Sequence, residues 1–389
     1  MPKSTSRSTV SRSGVLEAIG FLFRQVRPAE RILVGILALG LVLIVVSRTG
    51  ETNFRTVWIQ YFRFFARNVA IVFIISRVAY WIDENYVPPG AALKRVKIWI
   101  LGEKTEGRLG HHWLDTLMFV NRKRLGARPS VLGNDLEFIR NVMILLGSLA
   151  MYSNIKTRIP FIRDRTLGDK FFKDLDGMLI PEGWIETVEH WFASSSDVTA
   201  YFQHVYMHDY TWMVLLMVLL YIRRDTFSLK WLVLSVSITY VVAIMITAVY
   251  PSVGPVYMDP EHFGWLKGTR MHSTQQHLLR YFIWSTGQME AGEGITAKAF
   301  VGIAAFPSLH VGHMMIIFWI ALRTVPIYSI WMVWTSALTV LATIGFGWHY
   351  AVDAVGGAVL AIVVSESLYR FLRRHEPAAA PHVIAESTD

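Results

Sequence analysis

Apolar residues along this chain are gathered into long runs separated by polar and basic breaks. A membrane-crossing helix needs about 20 mainly apolar residues. Eight segments approach that requirement: 31–48, 67–82, 139–155, 211–222 with its aromatic lead-in, 229–250, 309–325, 327–346 and 353–372. Arg77 interrupts the second, and the fourth is short unless its helix begins near Tyr206. The pattern predicts an all-α fold, a polytopic membrane helical bundle with about eight transmembrane helices. The expected organisation is a basic tail, two transmembrane helices and a cytoplasmic segment over 1–138, a six-helix core over 139–375, and a C-terminal tail over 376–389.

Basic residues orient the bundle, because cytoplasmic loops carry an excess of Lys and Arg. Segment 83–138 is rich in them, from Lys94 to Arg128. Arg223, Arg224 and Lys230 flank the hinge between the fourth and fifth spans, Arg323 marks the next break, and Arg370, Arg373 and Arg374 close the core. Eight spans with a cytoplasmic N-terminus put all of these on one side. Arg55 and Arg63 run against the rule, as does the basic start of loop 156–210, with Lys156, Arg158, Arg163, Arg165, Lys170 and Lys173. A loop of that length counts less in the rule, and its acidic, aromatic second half predicts short helices lying on the membrane surface. In this topology Tyr250, His310 and His349 share the non-cytoplasmic face, with the cell membrane as the expected location.

Composition agrees. The 389 residues are 53% hydrophobic and only 17% charged, against about 25% charged in soluble domains. The net charge of +9 belongs to residues flanking apolar runs, so it signals topology rather than nucleic acid. The absence of cysteine excludes disulfides and thiolate chemistry. The first 30 residues are basic and Ser-rich without an apolar core, and are expected to be a tail rather than a cleaved signal.

Two strings place ionisable groups where apolar runs meet polar breaks: Phe306-Pro307-Ser308-Leu309-His310 and His349-Tyr350-Ala351-Val352-Asp353. His349 and Asp353 are four apart and share a helix face. A carboxylate on one ring nitrogen fixes the tautomer and frees the other for attack. The alternative is an interfacial pair that only satisfies itself. Ser308, after Pro307 and before an apolar run, is a good N-cap. A helix beginning there turns free N–H groups and its positive dipole end toward the polar compartment, a seat for an anion such as phosphate. His310 in the first turn would reach that anion. His313 either joins the site or, the favoured reading, faces a neighbouring helix. Tyr250-Pro251-Ser252-Val253-Gly254-Pro255-Val256-Tyr257 forces a turn after the fifth span, and its interest lies in its position beside the two histidine strings.

Zinc could be held by His310, His349 and Asp353, or by His204 and His208 beside Asp209. No Glu lies between the latter two histidines to act as a base, and they fit surface residues at headgroup level. Acid–base chemistry already accounts for the former three, so no metal and no cofactor are expected.

At these residues the chain resembles the type 2 phosphatidic acid phosphatase superfamily, and most closely its inositol phosphorylceramide synthase-like branch. The Pro-Ser-x-His motif appears as Pro307 to His310, and the His-Tyr-x-x-Asp motif with its trailing Gly pair as His349, Tyr350, Asp353, Gly356 and Gly357. The branch's Pro-rich first motif is similar to Pro251–Tyr257, and the resemblance covers roughly 210–373. It implies a metal-independent enzyme with a phosphatase-like core, in which His349 attacks phosphorus to form a phosphohistidine, Asp353 orients it, and His310 protonates the leaving oxygen. The phosphatase branch carries basic residues in its first motif and Ser-Arg shortly before the last His. Here the first motif has none, and Ala342 and Thr343 hold the latter positions. Lys298 and Arg270, with Ser308, are the candidates to hold the phosphate.

The expected function is therefore an integral membrane lipid phosphatase or phosphotransferase acting on a lipid phosphate or phospholipid headgroup. Transfer to an alcohol is slightly favoured over hydrolysis. The alternatives are a non-catalytic lipid-phosphate transporter or binding protein on the same scaffold, and a structural scaffold docking partners through 83–138. The expected partners are the lipid substrate and the bilayer.

Overall fold

Short connections force neighbouring apolar helices to run in alternating directions, and this brings the functional strings to one end. The computed structural model describes residues 131–156, 159, 167–290 and 303–375. The expected spans 31–48 and 67–82, most of the segment following them, Lys298 and the tail 376–389 lie outside the described residues. Every regular element among the described residues is helical.

The elements in chain order are α1 (Val131–Lys156), α2 (Asp169–Leu179), α3 (Trp184–Ala193), α4 (Ser196–Met207), α5 (Asp209–Ile222), α6 (Thr226–Val249) and the single turn α7 (Pro255–Met258). A 3-10 turn (His262–Leu266) precedes α8 (Arg270–Glu290), α9 (Leu309–Thr324), α10 (Pro326–Gly345) and α11 (Ala351–His375). Among the described residues four helices are long and apolar enough to cross a membrane: α1 from Asn134, α6, α10 and α11. A fifth candidate is the pair α4–α5, bent by 44°, and α9 is a shorter apolar helix. The protein is thus an all-helical, multi-pass membrane bundle. The fourth expected span is indeed short, and its aromatic lead-in forms a separate helix that breaks at His208 instead of lengthening it. Helix α1 begins at Val131, ahead of the apolar run that predicts it.

Capping residues set the boundaries. The Asp225 side chain accepts the N–H of Ser228 at the start of α6, Ser308 caps α9, and Pro326 opens α10, where its missing N–H is not needed. α6 packs against α1, α5, α9 and α11, and α9 against α10 and α11. Their contact faces form one large apolar core that includes Leu145, Leu216, Trp231, Ile317 and Leu372. Trp231 Nε1 donates to the Ser365 carbonyl at 2.8 Å, tying α6 to α11. At the end remote from the site, Arg323 of α9 pairs with Glu366 of α11 at 2.6 Å.

The outer faces read differently. Ile327, Ile330, Trp331 and Trp334 of α10 are exposed, as are Val355, Val359 and Val363 of α11. Such continuous apolar faces suit a hydrocarbon surround. Helices α2 and α3 expose Phe171, Met178, Leu179, Trp184 and Trp191, while α3 and α4 lay Phe192 and Phe202 against Phe346 beyond α10.

Candidate active site

One end of the bundle collects the C-termini of α1, α6 and α10 and the N-termini of α5, α9 and α11. The turn after α6 and the two histidine strings meet there. Ser252 accepts the N–H of Ala305 on its carbonyl at 2.9 Å and that of Phe306 on its hydroxyl at 3.0 Å. Val256 N–H donates to the Gly347 carbonyl at 2.9 Å. Ser308 N–H donates to the Asp353 carbonyl at 2.9 Å, which joins the starts of α9 and α11 directly. Two glycines permit this closeness. A Cβ on Gly357 would lie 2.0 Å from the Ser308 carbonyl oxygen, and one on Gly254, where φ is +98°, would lie 2.3 Å from that of Trp348.

The rings of His310 and His349 come from separate helix ends and face each other edge to face, their centroids 6.3 Å apart. His349 Nδ1 lies 3.5 Å from Asp353 Oδ2, and their side chains are 7% and 0% exposed. That distance is longer than a good hydrogen bond. Asp353 Oδ2 instead accepts the Tyr350 N–H at 2.9 Å. Burial pushes the His349 imidazole down to about 3; the charge of Lys156 acts in the same direction, and a backbone hydrogen bond with Ala305 opposes it. His349 is therefore neutral near pH 7, with the lone pair of one ring nitrogen available. At 28% exposed against 7%, His310 is the more accessible of the two rings.

A second carboxylate stands behind His310. Asp209, at the first position of α5, puts Oδ2 2.5 Å from His310 Nδ1. The same oxygen lies 3.3 Å from Nε2 of His313, which is fully buried. Its other oxygen accepts the Tyr210 N–H at 2.7 Å. The site thus holds two imidazole–carboxylate pairs. His313 faces the neighbouring α5 and touches the shared carboxylate, and its Nδ1 contacts the Leu309 carbonyl at 2.8 Å. In sequence Asp209 stood out only as a neighbour of His208; nothing in its spacing pointed across 101 residues to His310. Tyr206 stacks on His310 with centroids 4.3 Å apart, and Trp348 lies parallel to Tyr206 at 6.0 Å, so aromatic rings wall this side.

Helix α2 braces the other side. Asp169 accepts the N–H groups of Val253, at 3.0 Å, and Gly254, at 2.8 Å, which fixes the turn after α6. The Tyr350 hydroxyl donates to the same carboxylate at 3.2 Å. Asp176 accepts the N–H groups of Ala351 and Val352, each at 2.8 Å, and so caps α11 from another helix. Burial raises the Asp176 carboxyl above its ordinary range, against those two donors. Neither Asp169 nor Asp176 is signalled by sequence pattern.

Ser308 is fully buried, and its hydroxyl accepts the Val311 N–H as the N-cap of α9. Arg270 opens α8 with an exposed side chain. His204 and His208 stack on each other 4.1 Å apart, both exposed. Among the described residues no group of three or more His, Cys, Asp or Glu is arranged to hold a metal ion.

Comparison with known proteins places this geometry in context. Residues 180–366 match the family model of the PAP2 superfamily. The matched stretch runs from just before α3 into α11 and contains all three strings, Asp209 included; α1 and α2 lie before it. No curated protein and no solved structure matches the chain.

Proposed function

We propose that this protein is a membrane enzyme of the PAP2 superfamily that transfers the phosphoryl-bearing group of a lipid phosphate or phospholipid headgroup through His349. The observation that carries the reading is the pair of facing imidazoles, His310 and His349, separated by 6.3 Å between centroids, with Asp209 in contact with His310 and Asp353 lying 3.5 Å from His349. A phosphorus atom between the rings is within reach of both. The family match over the same residues supports the same chemistry.

The neutral His349 donates a lone pair to phosphorus, and the bond from phosphorus to the lipid oxygen breaks. His310 gives its proton to that departing oxygen, and Asp209 stabilises the imidazolium before transfer. In the second half, water or an alcohol loses a proton to His310 and attacks phosphorus. The P–N bond then breaks and returns His349 to its starting state. Acid–base assistance of this kind is worth about 10²–10⁴-fold. The free N–H groups and positive dipole end of α9, capped by Ser308, favour the phosphate oxygens. Transfer to an alcohol is the preferred second half, because the His-Tyr-x-x-Asp form and the first motif without basic residues both lean toward the transferase-like branch.

The test incubates purified protein with radiolabelled lipid phosphate, with and without polyol acceptors, and follows released phosphate, new lipid and acid-labile label on the protein. Release or new lipid, with label lost in His349→Ala, supports the proposal. Neither product under any condition, or full activity in His349→Ala, overturns it.

A further inference from the structure

A phosphate group entering a site this buried needs a positive charge to meet it. The usual sources are missing from the strings: residues 250–257 contain no Lys or Arg, and Ala342 and Thr343 stand before the last histidine. Lys267, Arg270 and Arg280 are exposed on the 3-10 turn's exit and on α8. We propose that Lys156, in the last turn of α1, supplies the charge that receives the phosphate between His310 and His349. The assignment rests on the enzymatic reading above and names the group that holds its substrate.

The placement of α1 is the first argument. Met151 and Ile155 from its final turns close a buried cluster with Ile159 and with Ile244 of α6, and Ala304 packs against that cluster. Ala304 leads directly into Ala305, whose backbone lies beside the His349 ring. The end of α1 is therefore one layer from the nucleophile.

The direction of the side chain is the second. The Lys156 ammonium lies over the Tyr152 ring, 5.6 Å from its centroid. Tyr152 packs edge-on against Tyr240 at 5.0 Å, the Tyr240 hydroxyl is 2.7 Å from that of Tyr210, and Tyr210 stacks on His313 at 4.7 Å. A cation at a helix C-terminus ordinarily needs no explanation beyond the helix dipole, and a lysine there can extend outward to lipid headgroups. This one is turned onto the aromatic layer that reaches the histidines. No carboxylate pairs with it among the described residues, and its charge acts on His349.

Lys156 precedes the region matched by the family model, which begins at residue 180. A helix outside the matched stretch thus brings the charge that the first motif lacks.

The experiment compares full-length wild type, Lys156→Met and Lys156→Arg. It measures inhibition by inorganic phosphate and the titration midpoint of the His349 imidazole by NMR of labelled histidine. Lys156→Met removes a charge-assisted contact and is expected to weaken phosphate inhibition by about tenfold or more. Lys156→Arg should recover most of it. The His349 midpoint should rise in Lys156→Met, because a repelling charge has gone. Should Lys156→Met not yield folded protein, Lys156→Gln reads the same quantities. Unchanged phosphate inhibition in an active neutral variant overturns the assignment of Lys156, as does equal impairment of the Met and Arg variants. Wild-type protein that neither releases phosphate nor forms new lipid overturns the enzymatic reading itself, a separate outcome.

Discussion

Asp209 Oδ2 lies 2.5 Å from His310 Nδ1, across the junction between the first turn of α5 and the first turn of α9. The contact engages Nδ1 of His310, leaves Nε2 for the substrate side, and lends the ring a counter-charge when it is protonated. Asp209→Asn keeps the size and removes the charge. It is expected to lower kcat about 10²-fold with little change in KM. Steady-state kinetics on a lipid phosphate check this, and an unchanged kcat would show the contact to be structural only.

The two histidines should respond differently to the leaving group. An alkoxide needs a proton as it departs, whereas p-nitrophenolate leaves without one. His310→Ala should lose about 10²–10⁴-fold on an alkyl lipid phosphate and much less on p-nitrophenyl phosphate. His349→Ala should lose both activities. Equal losses for His310→Ala on the two substrates would contradict its role as the acid.

The pH behaviour of His349 follows from its burial. An imidazole free in the unfolded chain titrates near 6.5, while in the folded protein this one is pushed down to about 3. Between those values the unfolded chain binds more protons. The contribution to stability is therefore fully present above about pH 6.5 and is lost as pH falls toward 3. Histidine-labelled protein, with His349→Gln for assignment, should show a Cε1 resonance that does not move until well below pH 5. A midpoint near 6.5 would exclude the buried neutral state.

Asp176 caps α11 from a different helix, and its loss should be felt in the site. Asp176→Ala leaves the N–H groups of Ala351 and Val352 without their acceptor. The expected cost is about 1–2 kcal/mol, read as a lower thermal midpoint in detergent. A lower kcat should accompany it, since Asp353 sits in the same turn. An unaltered midpoint would mean that water replaces the cap.

Gly357 and Gly177 make a contrasting pair. A methyl group at Gly357 would meet the Ser308 carbonyl oxygen at 2.0 Å, whereas at Gly177 it would meet nothing within 4 Å. Gly357→Ala should destabilise by about 1–3 kcal/mol or more and separate α9 from α11. Gly177→Ala, in the interior of α2, should be neutral or stabilising by about 0.5–1 kcal/mol. Thermal unfolding of both variants distinguishes tight backbone contact from general intolerance to alanine.

By itself the sequence determined the all-helical membrane architecture and the positions of the core helices, because hydrocarbon-length apolar runs leave the backbone no other way to satisfy its hydrogen bonds. It also marked His310, His349 and Asp353, since ionisable groups at the ends of apolar runs are costly enough to stand out. Only the tertiary structure decided what surrounds them. Asp209, Asp169, Asp176 and Lys156 reach the site from 101 to 193 residues away along the chain, measured from His349 or His310 to each, and no local period or spacing encodes such a contact. They lie at helix ends, where a carboxylate or ammonium reads as an ordinary cap or surface charge until folding sets another helix against it.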